Sequence, residues 1–287
     1  MSDAGAVRVH RGGRRFDVAV LYRALFLFLV AGFVLVPLLA TVLGGFKSLG
    51  ELRTSPFGIP HDWEWGNYAN ILFSSRYWQL LGNSLVIACI TVAVTLLCGG
   101  MAAFVFAHVT FFGSSMLLGY FTLGLLFPAA TAILPLFIKV RDLGLLDTWL
   151  GVALPQSAFG LAMAILLLRR FFRDLPHEIF EAAVTDGCSY LGFFRHITVP
   201  LSRPIIATVG TIAFVQSWNA YLMPLVMLNS DGRYPWPLGI MAYQGEYSSE
   251  WNLILAFITL TILPTVIVFF LAQKHIVAGL TAGAVKG

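Results

Sequence analysis

Six long stretches of this chain are almost wholly apolar, and segments rich in charge, proline and glycine separate them. They cover about residues 24–46, 84–107, 114–138, 150–168, 204–228 and 252–273. Each has close to the roughly 20 residues that an α-helix needs to cross about 30 Å of hydrocarbon. The pattern predicts an all-α membrane protein of six transmembrane helices, with one domain over residues 24–273, a segment 1–23 before it and a tail 274–287 after it. The first run exceeds the roughly 7–15 apolar residues of a cleavable signal, so it reads as a retained helix with Arg23 snorkelling at its end. Pro128 and Pro135 should kink the third run or break it into pieces. Between the first two runs lie Trp63, Trp65, Tyr68, Tyr77 and Trp78, a density of aromatics that suits the headgroup layer.

Composition decides what surrounds these helices. Hydrophobic residues make up 58% of the chain and charged residues 11%, with a mean hydropathy of +0.82. A soluble domain carries roughly 25% charged residues, so this composition cannot clothe a solvated surface and lipid must cover the molecule instead. The net charge of +4 does not point to nucleic acid, because only Arg8, Arg11, Arg14 and Arg15 cluster. The other basic residues flank apolar runs, as membrane proteins place them. Cys89, Cys98 and Cys188 have neither the even count of a disulfide framework nor the spacing of a zinc site.

With six spans both termini share one side of the membrane. That side holds 12 of the 18 Lys and Arg residues and the opposite side holds six. The excess places the termini and the 169–203 loop in the cytoplasm.

The 169–203 loop is where the pattern changes. Pro176 suits a helix start, and Glu178, Glu181, Ala182 and Thr185 fall on one face by i, i+3, i+4, i+7 spacing. Gly187 can take the left-handed conformation that stops this helix. Ser189 can cap a second one, with Tyr190, Phe193 and Ile197, or Leu191, Phe194 and Ile197, as an apolar stripe and Pro200 ending it before the fifth run. Two such short helices are poorly stable alone. They suit a groove on a soluble partner, or they rest on the headgroups as an amphipathic hairpin; the residues themselves leave both open.

The stretch Glu181-Ala-Ala-x-x-Asp-Gly187, followed by Ile197-Thr-Val-Pro200, resembles the EAA loop of ATP-binding-cassette importer permeases, with Val199 in place of the usual Leu. In that family the loop forms coupling helices that insert into a cleft of each ATPase subunit. The resemblance implies that Glu178, Glu181, Ala182, Ala183, Asp186, Gly187, Ile197 and Pro200 couple this chain to an ATPase, with Glu181 as the polar anchor and Gly187 as the turn. Further stretches, Leu143-Gly-Leu-Leu-Asp-Thr-Trp149, Phe171-Phe-Arg-Asp-Leu-Pro176, Trp218-Asn-Ala-Tyr-Leu-Met-Pro224 and the tail from Val277 to Gly287, are similar to the MalG-like permeases of carbohydrate importers from about residue 20 onward. The implied assembly pairs this chain with a MalF-like permease, two ATPase subunits that use ATP and Mg, and an extracytoplasmic solute-binding protein that delivers a sugar. By the same resemblance this chain binds no cofactor and is not itself an enzyme. A non-sugar solute, such as a glycerol phosphate or a polyamine, or a non-transport membrane scaffold are the alternatives.

Gln156, Ser157, Gln216, Ser217 and Asn219 interrupt the apolar runs. Uncharged polar groups in lipid want partners, and interhelical hydrogen bonds contribute roughly 0.6–2 kcal/mol each. Alternatively, Gln216, Trp218, Asn219 and Tyr221 line a sugar pathway, since they combine amides with aromatic faces. No Asp, Glu, Lys or Arg falls in the middle of a run, which argues against a proton-coupled transporter. The four lysines follow Phe46, Ile138, Gln273 and Val285, never glycine, so the chain lacks the Gly-Lys-Ser/Thr of a phosphate-cradling loop.

Overall fold

The structure, a computed structural model, describes residues 18–245 and 248–281. The basic cluster Arg8, Arg11, Arg14 and Arg15, and residues 282–287 of the tail, lie outside the described residues. All regular elements described are helical: α1 (Val18–Gly44), α2 (Leu49–Thr54), α3 (Trp65–Leu72), α4 (Ser75–His108), α5 (Ser114–Gly124), α6 (Ile133–Asp142), α7 (Trp149–Arg173), α8 (His177–Thr185), α9 (Tyr190–Phe193), α10 (Val199–Leu201), α11 (Arg203–Trp218), α12 (Leu222–Met227), α13 (Trp236–Gly239) and α14 (Trp251–Thr281). The segment 1–23 is thus already helical from Val18, and the tail stays helical to Thr281.

Four helices, α1, α4, α7 and α14, are long and apolar enough to span a membrane alone. Two further apolar stretches form bent helix pairs, each a broken span or a re-entrant loop. The third run divides into α5 and α6, which meet at 95°. Pro128 makes the break, sitting extended (φ −72°, ψ 125°) before a short 3-10 turn, while Pro135 lies in the first turn of α6, where its missing N–H costs nothing. The fifth run is shorter than the sequence suggests. Its helix α11 has 16 residues and ends at Trp218, because Asn219, Ala220 and Tyr221 leave the helix before α12 begins. It continues instead from the preceding 190–201 helix through a bend of 82°.

The polar segment after α1 is folded on itself. Ser48 caps α2 by accepting from the Glu51 amide at 3.2 Å, and the Glu51 carboxylate accepts from the His61 amide at 2.8 Å. Phe46 collects Trp63, Trp65 and Tyr68 with ring centroids 4.3–5.2 Å away. Lys47, expected as a membrane-flanking charge, is fully buried and donates its ammonium to the Ser55 carbonyl at 2.5 Å. Tyr77 is likewise buried, donating to the Leu260 carbonyl at 3.2 Å.

Helices α4 and α7 run side by side, and small residues set their approach: a Cβ added at Gly99 would stand 3.0 Å from the Ala164 Cβ. Close backbone contact of this kind replaces the hydrophobic drive that lipid cannot supply. Helices α11 and α14 complete the packed core. One cluster, at the end bearing the 174–202 segment, holds Phe104, Leu168, Phe172, Ala183, Phe193 and Ile205. Another, toward the opposite end, holds Tyr77, Leu80, Trp218, Trp236 and Phe257. Large apolar side chains along α1 and the outer faces of α5 and α14 stay exposed, as a lipid-facing surface requires.

Candidate functional site

The helix pair expected in the 169–203 loop forms, with different edges. Helix α7 carries Arg169, Arg170 and Arg173 in its last turns, so the excursion starts at Asp174. Pro176 precedes α8 in extended conformation (φ −55°, ψ 129°). At the other end Gly187 is left-handed (φ 75°). The Cys188 amide donates to the Ala183 carbonyl at 2.9 Å, and the Gly187 amide to the Val184 carbonyl at 3.0 Å. That pair of bonds is a Schellman turn, which needs a residue free of Cβ strain at its pivot. Ser189 then caps α9, accepting from the Gly192 amide at 3.2 Å.

Pro200 does not end the second helix. The chain passes through a π-helical stretch at 194–198 into α10, where Pro200 sits near the start, and the turn comes at Ser202. A π segment widens the helix and frees carbonyls that proline could not otherwise tolerate.

An aromatic joint fastens this hairpin to the bundle. Phe180 meets Phe193 edge-on at 5.0 Å and stacks on His108, at the end of α4, at 5.5 Å with planes 11° apart. Phe104 lies 5.2 Å from Phe194. Ala183 and Phe193 are buried beneath, and Ile197 is half-buried. The opposite face carries Glu178, Glu181, Ala182, Thr185 and Asp186 to the outside, with Val184, Tyr190 and Leu191 56%, 55% and 70% exposed. Among the described residues the Glu181 carboxylate pairs only with His177, at 3.6 Å and one turn away. The hairpin therefore has a greasy seat on its own bundle and a mixed apolar–acidic face with no partner among the described residues. The 108–113 link looks uninformative in sequence, yet His108 is the ring on which α8 rests; its signal is the i, i+4 pair Phe104 and His108.

The polar residues inside the spans form a second feature. Gln156 Oε1 accepts from the Thr91 hydroxyl at 3.1 Å and the Ser217 hydroxyl at 2.6 Å, tying α7 to α4 and α11. Ser157 donates to the Ala153 carbonyl at 2.8 Å. Thr91, Gln156 and Ser217 also line a cavity of about 280 Å³ together with Thr95, Gln216 and Tyr221. Gln156 Nε2 and Thr95 Oγ1 are buried there without a hydrogen-bond partner, and such atoms carry a desolvation penalty until something pairs with them. Of the four expected pathway residues, Gln216 and Tyr221 face this cavity. Trp218 does not: it is buried, stacks 5.5 Å from Phe214 and donates its indole N–H to the Thr261 carbonyl at 3.3 Å. Asn219 turns back on its own helix, donating to the Val215 carbonyl at 2.9 Å. The four do not share a turn and a half of helix because α11 stops between them. Thr91 and Thr95, one helical turn apart in an unremarkable apolar run, carried no sequence signal beyond their hydroxyls.

At the opposite end Asp147, left-handed at φ 56°, clamps the α6–α7 turn to the segment after α12. Its carboxylate accepts from the Ser230 hydroxyl and from the Ser230 and Asn229 amides at 2.9 and 3.0 Å, and Arg233 pairs with it at 3.0 Å. These donors, the Ser230 hydroxyl first, hold its pKa down at about 2. Among the described residues no three His, Cys, Asp or Glu side chains gather as a metal-ligand set.

Residues 95–282 match the model of the family described as binding-protein-dependent transport system inner membrane component. The chain is 32% identical over 255 residues to the diacetylchitobiose uptake system permease protein NgcG of Streptomyces coelicolor, covering 88% of this chain and 84% of that one. It is 33% identical over 261 residues to the trehalose transport system permease protein SugB of Mycobacterium tuberculosis, covering 90% and 95%. Its fold matches a chain of a bacterial ABC transporter that imports the acidic polysaccharide alginate, with a TM-score of 0.77 at 22% identity over 91% of this chain and 98% of the other. With an all-α bundle of broken and unbroken spans and an outward-facing helical hairpin, the chain belongs to the binding-protein-dependent inner-membrane permeases of ATP-binding-cassette importers.

Proposed function

We propose that this permease carries a sugar inward as one half of a heterodimeric pathway, and that the 174–202 hairpin is where ATP hydrolysis is coupled to it. The observation that carries the coupling is the two-faced hairpin, with Phe180 and Phe193 seated on His108 and Phe104 and Glu181, Val184 and Leu191 turned out. A rigid seat transmits force and an exposed mixed face receives a partner, which is what helix-in-groove docking asks of one side. The partners are a second, paralogous permease, two ATPase subunits that bind ATP and Mg, and an extracytoplasmic binding protein. Glu178, Glu181, Ala182, Ala183, Asp186, Gly187, Ile197 and Pro200 form or support the coupling hairpin, and both termini face the cytoplasm with it.

The sugar assignment rests on relatives named for trehalose and diacetylchitobiose uptake. It is supported by the 280 Å³ cavity, whose wall brings the amide of Gln216, the phenol of Tyr221 and the polar residues Thr91, Thr95, Gln156 and Ser217 in among apolar side chains. Alternating closure of the two ATPases would draw the hairpins together and open this cavity to the other side. Uptake of labelled trehalose, diacetylchitobiose, glycerol 3-phosphate and spermidine by a deletion strain, with and without the restored gene, tests the reading. Restored uptake of a sugar supports it; restored uptake of only the phosphate or the polyamine contradicts the sugar assignment.

A further inference from the structure

The hairpin does not sit flush on the bundle. Between them lies a cavity of about 530 Å³, walled by the end of α4, the start of α5 and the last turns of α7. Its polar lining is Arg169, Arg173, His108, His177, Thr110, Ser114 and Ser115, and no Asp or Glu belongs to it. Arg169 is held in place by donating its Nε to the Phe106 carbonyl at 3.1 Å. Among the described residues neither Arg169 nor Arg173 forms an ion pair with a carboxylate. The two guanidinium groups are one turn apart on α7, a spacing at which like charges repel. Phe180 and Phe193 of the aromatic joint form the apolar side of the same space. Two unneutralised forks, three hydroxyls and an apolar wall together match a phosphate ester, since guanidinium groups bind phosphate oxygens in pairs.

We propose that this cavity binds a phosphate ester behind the coupling hairpin, so that its occupancy sets how firmly the hairpin is seated. Two sources share that chemistry. One is the headgroup of an anionic phospholipid reaching in from the inner leaflet, given the orientation proposed above. The other is a soluble phosphorylated metabolite. Neither depends on which solute crosses the membrane, so the binding test stands apart from the sugar assignment.

The experiment uses the whole transporter, permease with its partner subunits, purified and delipidated. In one arm, native mass spectrometry counts phosphatidylglycerol retained from neutral nanodiscs doped with it. In the other, equilibrium dialysis measures labelled glucose 6-phosphate. Wild type is compared with Arg169→Gln/Arg173→Gln, with Arg173→Gln alone, with the conservative Arg173→Lys, and with Arg141→Gln at the far end as a control. The expected result is binding of one probe that weakens about tenfold in the double variant, which is about 1.4 kcal/mol. It should weaken less in Arg173→Lys and be unchanged in Arg141→Gln. Arg173→Gln, which removes no hydrogen bond of the fold, keeps the test readable should the double variant fail to assemble. Binding of neither probe to wild type, or equal binding by wild type and the Gln variants, overturns the proposal.

Discussion

Single residues carry two of the most readable consequences. Asp147 is surrounded by donors, and its carboxyl is held at about pH 2, below the ordinary aspartate value near 3.9. A group depressed in the folded state stabilises the fold above its unfolded pKa and loses that contribution as pH falls through the folded value. Thermal unfolding of the detergent-purified protein should therefore show Asp147→Asn less stable than wild type at pH 7, with the gap closing between about pH 4 and pH 2. A gap that stays constant over that range would mean that the charge plays no part. Gly187 gives the second case. At φ 75° any residue with a Cβ pays about 1–2 kcal/mol, so Gly187→Val should loosen the α8 end, read as faster proteolysis within 174–202. Gly187→Asn, which tolerates the left-handed region better, should recover most of it. Gly187, Pro176 and Ser189 were legible because turn chemistry is local. Asp147 was not, since its donors Asn229 and Ser230 lie over 80 residues away.

At the scale of elements, hydrophobic runs located the four unbroken spans α1, α4, α7 and α14 but not the bends within the other two stretches. Helix α11 ends at Trp218 although apolar residues continue, because the pattern reports burial and cannot distinguish one long helix from two short ones. The division mattered for the site: it sent Trp218 into the core and left Gln216 and Tyr221 on the cavity. The polar tie through Gln156 belongs here too. Gln156→Leu removes the acceptor shared by Thr91 and Ser217 and should cost about 1–2 kcal/mol in thermal stability. It should also raise the KM for uptake, because Gln156 is part of the cavity wall. A stability loss with unchanged KM would leave Gln156 as helix glue alone. The hairpin's two faces were partly legible. The exposed Glu178, Glu181 and Thr185 followed from spacing, whereas the joint with His108 joins α4 to a segment about 70 residues later and has no local signature.

The described residues form a packed centre of α4, α7, α11 and α14, with large apolar side chains of α1 and the outer surface left exposed. Composition and charge asymmetry already implied a membrane protein with the hairpin on the more basic side, and they had no means of showing the buried Lys47 or the basic cavity behind the hairpin. The central claim is that energy enters through the exposed hairpin face and that the pathway lies elsewhere. The most direct measurement is ATP-driven uptake of labelled sugar by proteoliposomes holding the full transporter, with ATP hydrolysis followed in the same sample, for wild type and Glu181→Ala. The Glu181 side chain is exposed and its carboxylate pairs only with His177 among the described residues, so the variant should fold normally and keep its affinity for solute. The account predicts that sugar uptake per ATP hydrolysed falls about tenfold or more, in keeping with docking of a helix in a partner's groove. Uptake per ATP equal to wild type would contradict it.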